Sequence, residues 1–294
     1  MKQEQKQILS VSRRTDIPAF YMSWFMEQVA RGSIDVENPF NRQVRSVAVS
    51  PDRIHSIVFW SKNFRPFLRD RCGERLRAMG YHLFFNFTIN SRSPILEPVV
   101  PDLGDRIDQL HQLCGRFGAA SVQWRFDPVC HFVMPTGVAG SNLDDFEPIA
   151  EAAGKCGIRT CTTSFMDHYG KVARRSKKIL TFVEPPVVER LTILLEMEQR
   201  LSPLGIQLAV CCEKPLLERL SAGSTITAGA CISGHRITAL HGGRVSLKRD
   251  AGQRRQSGCG CTVSVDVGSY RRHPCHHNCL FCYANPACDR RSAQ

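Results

Sequence analysis

The sequence lacks the features that define several protein classes. No apolar run approaches the roughly 20 residues that a helix needs to cross a bilayer. The segment from Met1 to Gln7 is polar, and no apolar core of a signal peptide follows it. There is no internal repeat and no low-complexity tract. We therefore expect a cytoplasmic globular protein that has no membrane partner.

Acidic residues are scarce relative to basic ones. The chain has 27 Asp and Glu against 39 Lys and Arg, which gives a formal net charge of +12. The basic residues gather in segments 65–77, 171–178 and 248–255. Such a surface attracts anions, so an anionic small substrate and nucleic acid are both admissible partners, although no nucleic-acid module is recognisable. An ordinary solvated basic face is the alternative.

The order of apolar patterns predicts the fold class. Strands are predicted at 8–12, 44–49, 54–60, 82–89, 121–126, 158–164 and 206–212. Helical patterns fall between them at 19–31, 65–79, 103–117, 144–155 and 187–201. This alternation indicates an α/β protein with a parallel sheet covered by helices. The number of units and the length favour a (β/α) barrel, complete or incomplete.

The sequence after Leu220 changes character, since it is rich in Gly, Ser and Cys. Short strand-like pieces are predicted at 232–240, 244–247 and 262–267, with no long helix. We therefore predict two parts: a barrel-like domain at 1–220 and a Cys-rich C-terminal extension at 221–294 that packs on it.

Polar residues follow the predicted strands at the point where each one ends. In a (β/α) barrel these ends carry the active site. The candidates are Arg13, Arg14, Asp16, Lys62, Asn63, Arg125 and Asp127. The arginines and Lys62 would neutralise anionic groups of a cofactor or substrate, and the two aspartates would position them or act as acid/base groups. The alternative is that these side chains cap helices or form salt bridges.

The 14 cysteines are unevenly distributed. A reducing compartment argues against disulfides, so the scattered residues from Cys72 to Cys161 are expected to be small buried hydrophobes. Cys275, Cys279 and Cys282 differ, because they form a C-x3-C-x2-C triplet followed by Tyr283. Three soft thiolates this close suit an iron–sulfur cluster or zinc.

On a 4Fe-4S cluster, three cysteine ligands leave one iron free to chelate the amino and carboxylate groups of S-adenosylmethionine. An electron from the cluster then cleaves the sulfonium and yields a carbon radical. Tyr283 would shield the cluster or contact this cofactor. The scheme needs an electron donor such as flavodoxin or ferredoxin. In the alternative, zinc takes the triplet and a fourth ligand from Cys288, His273, His276 or His277.

A second, looser group of cysteines precedes the triplet. Cys211, Cys231, Cys259 and Cys261 are the preferred ligands of an auxiliary cluster or zinc. Two other readings stay open for this group: unliganded thiols in a packed extension, or a thiol that donates a hydrogen atom.

The triplet resembles the cluster motif of the radical S-adenosylmethionine superfamily. In most of that superfamily the motif follows the first barrel strand, whereas here it lies near the C-terminus. No clear glycine-rich pair with an acid follows the second strand to hold the methionine amino group.

The whole chain resembles the domain-of-unknown-function 1848 family of bacterial proteins. The resemblance rests on SRRTDIPAF (12–20), NPFN (38–41), IVFWSKN (57–63), FNFTIN (85–90), WRFDP (124–128), CISG (231–234), and CGCTVSVDVGSY through CLFCYAN. It implies a cluster-bearing, radical-S-adenosylmethionine-like protein of unestablished substrate, remotely similar to the spore photoproduct lyase and photolyase-like branch. It adds Trp60 to the strand-end residues, as a cofactor contact. Cys212 departs from the family pattern and is left out of the auxiliary group, and the pair His276–His277 also departs from it.

These observations predict an iron–sulfur, radical-S-adenosylmethionine-like enzyme of unknown substrate. The first alternative is a nucleic-acid repair or nucleic-acid-binding iron–sulfur protein. The second is a zinc-stabilised, metabolite-binding barrel.

Overall fold

The structure, a computed structural model, describes residues 5–284. In chain order its strands are β1 (Gln7–Val11), β2 (Ser33–Glu37), β3 (Val44–Ala48), β4 (Ile54–Ser61), β5 (His82–Thr88), β6 (Val122–Val129), β7 (His131–Val133), β8 (Ala139–Ser141), β9 (Thr160–Phe165), β10 (Thr181–Val183), β11 (Gln207–Val210), β12 (Thr227–Ala228) and β13 (Val265–Asp266). Its α-helices are α1 (Ile17–Phe20), α2 (Met22–Arg31), α3 (Arg65–Arg69), α4 (Cys72–Ala78), α5 (Leu103–Phe117), α6 (Phe146–Lys155), α7 (Gly170–Ser176), α8 (Val187–Leu201), α9 (Lys214–Leu217) and α10 (Gly234–His241).

The central feature is an eight-stranded sheet in the order β12-β11-β9-β6-β5-β4-β1-β13. Every pairing in it is parallel. From β1 to β12 the strands follow one another in chain order, so their carboxyl ends meet at one edge of the layer. The predicted α/β class and parallel sheet are confirmed. The two smaller sheets are β10-β7-β8 and the hairpin β2-β3.

The sheet is open. Both edge strands, β12 and β13, come from the Cys-rich region, and within residues 5–284 no pairing joins one to the other. Each of these strands has only two residues. Closure into a barrel is therefore not seen. The Cys-rich region completes the sheet on both sides.

The two faces of the sheet are buried against different parts of the chain. Leu9, Ile57 and Phe85 belong to the large core that includes residues of the surrounding helices. On the opposite face, Ile8, Val58 and Phe84 pack with apolar side chains of the Cys-rich region, namely Ile232, Ile237 and Val245. Burial on both faces explains why the strands read as nearly continuous apolar runs.

Helix α10 covers this second face, so the predicted strand at 232–240 is wrong. The side chain of Ser233 caps the helix by accepting a hydrogen bond from the Arg236 backbone N at 3.2 Å. The Arg236 guanidinium donates to Oε1 of Gln123 at 3.0 Å and lies 4.9 Å from the centre of the Phe84 ring. The apolar pattern of this short segment suits a strand as well as a helix, and the cap decides in favour of the helix.

Some of the other predicted helices and strands match the structure, and others differ from it. The predicted helices at 103–117 and 187–201 coincide with α5 and α8. The predicted helix at 65–79 is broken into α3 and α4 at Arg71, whose φ of 49° is left-handed. The predicted strand at 44–49 is β3, which pairs with β2 outside the main sheet. Among the described residues, no helix has the length and apolar character needed to span a membrane.

Candidate metal and active site

A cavity of about 470 Å³ lies at the carboxyl ends of the sheet strands. Its lining includes nearly all of the predicted site residues: Arg13, Arg14, Asp16, Trp60, Lys62, Arg125, Asp127 and Tyr283. Both predicted cysteine groups also line it, through Cys275, Cys279 and Cys282 on one side and Cys211, Cys231, Cys259 and Cys261 on the other. Segments that are up to 270 residues apart thus meet in one space.

Asn63 is the predicted residue that does not line the cavity. Its side-chain oxygen accepts a hydrogen bond from the Arg65 backbone N at 3.1 Å, at the start of α3. This contact forms a local turn that leads into the helix, whose N-cap residue is Phe64. Cys288, a candidate fourth zinc ligand, lies outside the described residues.

Asp16 holds the cysteine triplet against the first strand. Its carboxylate accepts hydrogen bonds from Oγ of Ser61 at 2.7 Å and from the backbone N of Lys62 at 2.8 Å, and it caps α1 through the Ala19 backbone N. Nε2 of His277, inside the triplet segment, lies 2.8 Å from Oδ2 of Asp16. The cluster motif therefore reaches the end of β1 in space although it lies far from it in sequence.

The triplet lies in a buried, charged environment. Sγ of Cys279 is 3.8 Å from Oε1 of Glu97, which forms an ion pair of 2.5 Å with Nζ of Lys62. Burial raises the pKa of Cys279 and of Cys282, and it raises the pKa of Cys275 to about 12. A bound metal centre supplies the positive charge that ionises such thiols, so metal binding and deprotonation are coupled here.

The three sulfurs of the triplet do not all lie close together. Two thiolates on one zinc ion lie at most about 4.6 Å apart, twice the Zn–S distance of about 2.3 Å. Cys275, Cys279 and Cys282 do not form a group whose sulfurs all lie within 4.8 Å of one another. As placed in the structure, the three thiols of the triplet are therefore not arranged around a single ion.

The second cysteine group is more compact, and it includes a residue that sequence reasoning missed. The sulfurs of Cys211, Cys212 and Cys259 all lie within 4.8 Å of one another, with 3.6 Å between Cys211 and Cys212. Cys212, which the predicted auxiliary group leaves out, thus lies among its sulfurs. The signal was present in the sequence, because two adjacent cysteines end the predicted strand at 206–212. These three thiols could hold a metal ion.

Cys231 and Cys261 lie beside this trio and contact basic and backbone groups. Nη1 of Arg125 lies 2.9 Å from Sγ of Cys231. The Ile232 backbone N lies 3.4 Å from Sγ of Cys261, and the guanidinium of Arg13 also contacts that sulfur. Within the group, hydrogen bonds from Cys211 and then Cys212 lower the pKa of Cys259.

Two arginines and a tryptophan form a layer beside these thiols. The guanidinium carbons of Arg13 and Arg125 lie 5.2 and 4.8 Å from the centre of the Trp60 ring. The indole Nε1 donates to Oγ of Ser10 at 3.1 Å, which fixes the ring orientation. This stack places two positive charges at the cavity. Nε of Arg125 is buried without a hydrogen-bond partner.

Asp127 keeps Arg125 in place. The two side chains form a short ion pair, and Oγ of Ser164 donates to the other carboxylate oxygen at 2.5 Å. Burial by itself would raise the pKa of Asp127, but the charge of Arg125 together with hydrogen bonds from Ser164 and Arg125 outweighs burial and lowers that pKa. Asp127 is thus ionised and acts as a positioning group for the arginine. The Tyr283 hydroxyl, which also lines the cavity, donates to the Arg13 carbonyl at 2.9 Å.

Comparison with known proteins identifies a family and no activity. A family model described as "Domain of unknown function (DUF1848)" matches residues 8–284. No curated protein matches the chain. Among solved structures, it is similar to a D-hydantoinase from Bacillus sp. AR9, with 11% identity and a TM-score of 0.31 over 68% of this chain. The match spans 46% of the hydantoinase chain, which is less than half of its length.

Proposed function

Because the chain belongs to the family described as domain of unknown function DUF1848, its activity has to be inferred from the site, and we propose an iron–sulfur, radical-S-adenosylmethionine-like enzyme. Its substrate is an anionic small molecule that binds in the cavity at the strand ends. One observation carries the proposal. The Cys275, Cys279 and Cys282 triplet lines the same 470 Å³ cavity as the cationic side chains of Arg13, Lys62 and Arg125.

The donor set fits an iron–sulfur cluster. Three buried or half-buried thiols, spaced more widely than one ion allows, match a 4Fe-4S centre with one iron left without a protein ligand. When bound, such a cluster supplies a low-potential electron and an open iron for the amino and carboxylate groups of S-adenosylmethionine. Lys62 and Glu97 lie next to Cys279, so their ion pair contributes to the electrostatic environment of this centre.

The protein's own side chains would bind and orient the anionic substrate. Arg13 and Arg125 both lie against the Trp60 ring, so their positions are set before a ligand arrives. Arg125 is further fixed by Asp127 and has one unsatisfied donor, Nε. A carboxylate or phosphate would pair with these guanidinium groups through charge-assisted hydrogen bonds. Asp127 keeps its positioning role, and acid/base chemistry by Asp16 and Asp127 stays a prediction.

The test is reductive cleavage of S-adenosylmethionine. Anaerobically reconstituted protein given dithionite should release 5′-deoxyadenosine or methylthioadenosine, and Cys279→Ala should abolish this release. Cys114→Ala is the matched control, since this half-buried cysteine of α5 does not line the cavity. If an iron-loaded protein forms neither product, the proposed chemistry is wrong.

A zinc-stabilised, metabolite-binding protein is the second candidate. The compact trio of Cys211, Cys212 and Cys259 favours it, since sulfurs within 4.8 Å of one another suit a single ion. Zinc without iron in anaerobically isolated protein would select this candidate. The nucleic-acid alternative, the flavodoxin or ferredoxin donor and the cytoplasmic location stay predictions.

A further inference from the structure

We propose that Cys211, Cys212 and Cys259 bind a single divalent metal ion that prefers sulfur ligands, such as zinc. They would form a second metal centre in the same cavity. The ion would keep its fourth coordination position toward the cavity, where an anionic donor group of the substrate binds. This centre does not depend on the cluster at the Cys275–Cys279–Cys282 triplet.

The separations of the sulfurs select a single ion. Tetrahedral zinc with Zn–S bonds of about 2.3 Å places its sulfurs about 3.8 Å apart. Cys211 and Cys212 are 3.6 Å apart, and all three sulfurs lie within 4.8 Å of one another. The backbone brings this about at Cys212, whose left-handed φ of 63° turns the chain sharply after β11.

The surrounding charges favour ionised thiols. Three thiolates on a divalent ion carry a net charge of −1, and cationic groups stabilise such thiolates. Arg125 reaches the group through Cys231, and Arg13 reaches it through Cys261. Arg254, which is paired with Asp167, adds a third positive charge on the side of Cys212. The cavity thus supplies the positive environment that a thiolate centre requires.

Cys231 and Cys261 are placed as outer thiols. Each already receives a hydrogen bond at its sulfur, from Nη1 of Arg125 at 2.9 Å and from the Ile232 backbone N at 3.4 Å. Because these two sulfurs fall outside the group that lies within 4.8 Å, the three inner thiols bind the ion and the outer pair orients the arginines beside it. Zinc sites with three protein ligands and one open position are the kind that bind water or substrate. All five sulfurs line the cavity, which gives a ligand access to that position.

The test measures metal binding in a background without the triplet. The Cys275→Ala/Cys279→Ala/Cys282→Ala variant, freed of metal and titrated anaerobically with Zn²⁺ or Co²⁺, should bind about one ion per chain. The cobalt form should show sulfur-to-cobalt charge-transfer bands and the strong visible bands of a tetrahedral ion. Adding Cys212→Ser should weaken metal binding by more than 100-fold, because the loss of a metal ligand costs more affinity than the loss of an outer contact. Cys231→Ser should weaken it by about 10- to 100-fold at most.

Three results would overturn the proposal. One is iron with sulfide at this site in the triplet variant, which would mark a cluster held by the four cysteines first predicted. Another is unchanged Co²⁺ affinity after Cys212→Ser. The third is a loss after Cys231→Ser as large as that after Cys212→Ser. Far-UV circular dichroism of each variant separates these results from misfolding, and Cys212 is only partly buried, so its replacement perturbs packing least. Failure of S-adenosylmethionine cleavage would leave this proposal standing, because the measurement uses protein without the triplet.

Discussion

Nε2 of His277 lies 2.8 Å from Oδ2 of Asp16, and this contact joins the cysteine triplet to the end of β1. Both side chains are buried, with 2% and 6% of their surface exposed. The Tyr21 hydroxyl supports the same junction by donating to the Pro274 carbonyl at 2.6 Å. The cysteine triplet, although far along the sequence, is thereby placed at the end of the first strand.

His277→Ala should loosen the triplet. The change leaves Asp16 with its contacts to Ser61, Lys62 and Ala19 but removes the tie to the cysteine segment. We expect iron content after anaerobic reconstitution to fall several-fold and stability to drop by about 1.5–3 kcal/mol, the contribution of one hydrogen bond to a charged group. Iron analysis and thermal melts measure both. The exposed His235 on α10 provides the control, and equal iron content in His277→Ala and His235→Ala would refute the role of the contact.

Gly268→Ala should disrupt the same region by steric conflict. A Cβ at residue 268 would lie 2.0 Å from Oγ and 2.7 Å from Cβ of Ser12, a buried residue whose hydroxyl donates to Asp266. Overpacking of this kind costs about 1–3 kcal/mol, which lowers the melting temperature by several degrees. Gly104→Ala is the control, because its Cβ would meet nothing within 4 Å and should stabilise α5 slightly. Equal melting temperatures for the two variants would contradict the close packing of β1 on the segment after β13.

Glu213→Gln should change the dependence of stability on pH. Burial raises the pKa of Glu213 from 4.5 to about 7, while its Oε1 accepts a hydrogen bond from the Phe165 backbone N. A carboxyl whose pKa is raised on folding contributes its full stability below pH 4.5 and loses it as the pH rises through about 7. Glutamine carries no charge and does not undergo this loss. The substitution should therefore stabilise the protein more at pH 8 than at pH 5, by on the order of 1–3 kcal/mol.

Thermal or denaturant unfolding at both pH values measures this difference. Glu218→Gln is the control, since replacing this exposed glutamate should change stability by the same amount at both pH values. A Glu213→Gln effect that does not depend on pH would mean that the carboxyl is ionised on both sides of neutrality.

Much of the fold could be predicted from local patterns. The boundaries of α5 and α8 follow from helical periodicity alone, and the central strands from their apolar runs. The triplet was recognisable because its three cysteines are close in sequence. The docking of the triplet on Asp16 could not be recognised from the sequence, because this docking depends on a histidine contact across 261 residues. The sequence also could not show that the sheet stays open, since both edge strands have only two residues and no periodicity to detect.

The second cysteine group shows the same limit. Cys211 and Cys212 end one strand, while Cys259 lies in a loop that reaches them only through the tertiary fold. Sequence patterns could indicate that these cysteines bind metal, but only the backbone turn at Cys212 decides which sulfurs meet. The arginines behind Cys231 and Cys261 were predicted as site residues from strand ends, without any sign that they contact thiols.

The most direct test of the central claim is the iron, sulfide and zinc content of anaerobically purified protein and of its Cys275→Ala/Cys279→Ala/Cys282→Ala variant. We predict about four irons and four sulfides per chain in the wild type, lost in the variant, and about one zinc in both. Zinc without iron in the wild-type protein would contradict the account and leave a metabolite-binding protein with a thiolate metal site.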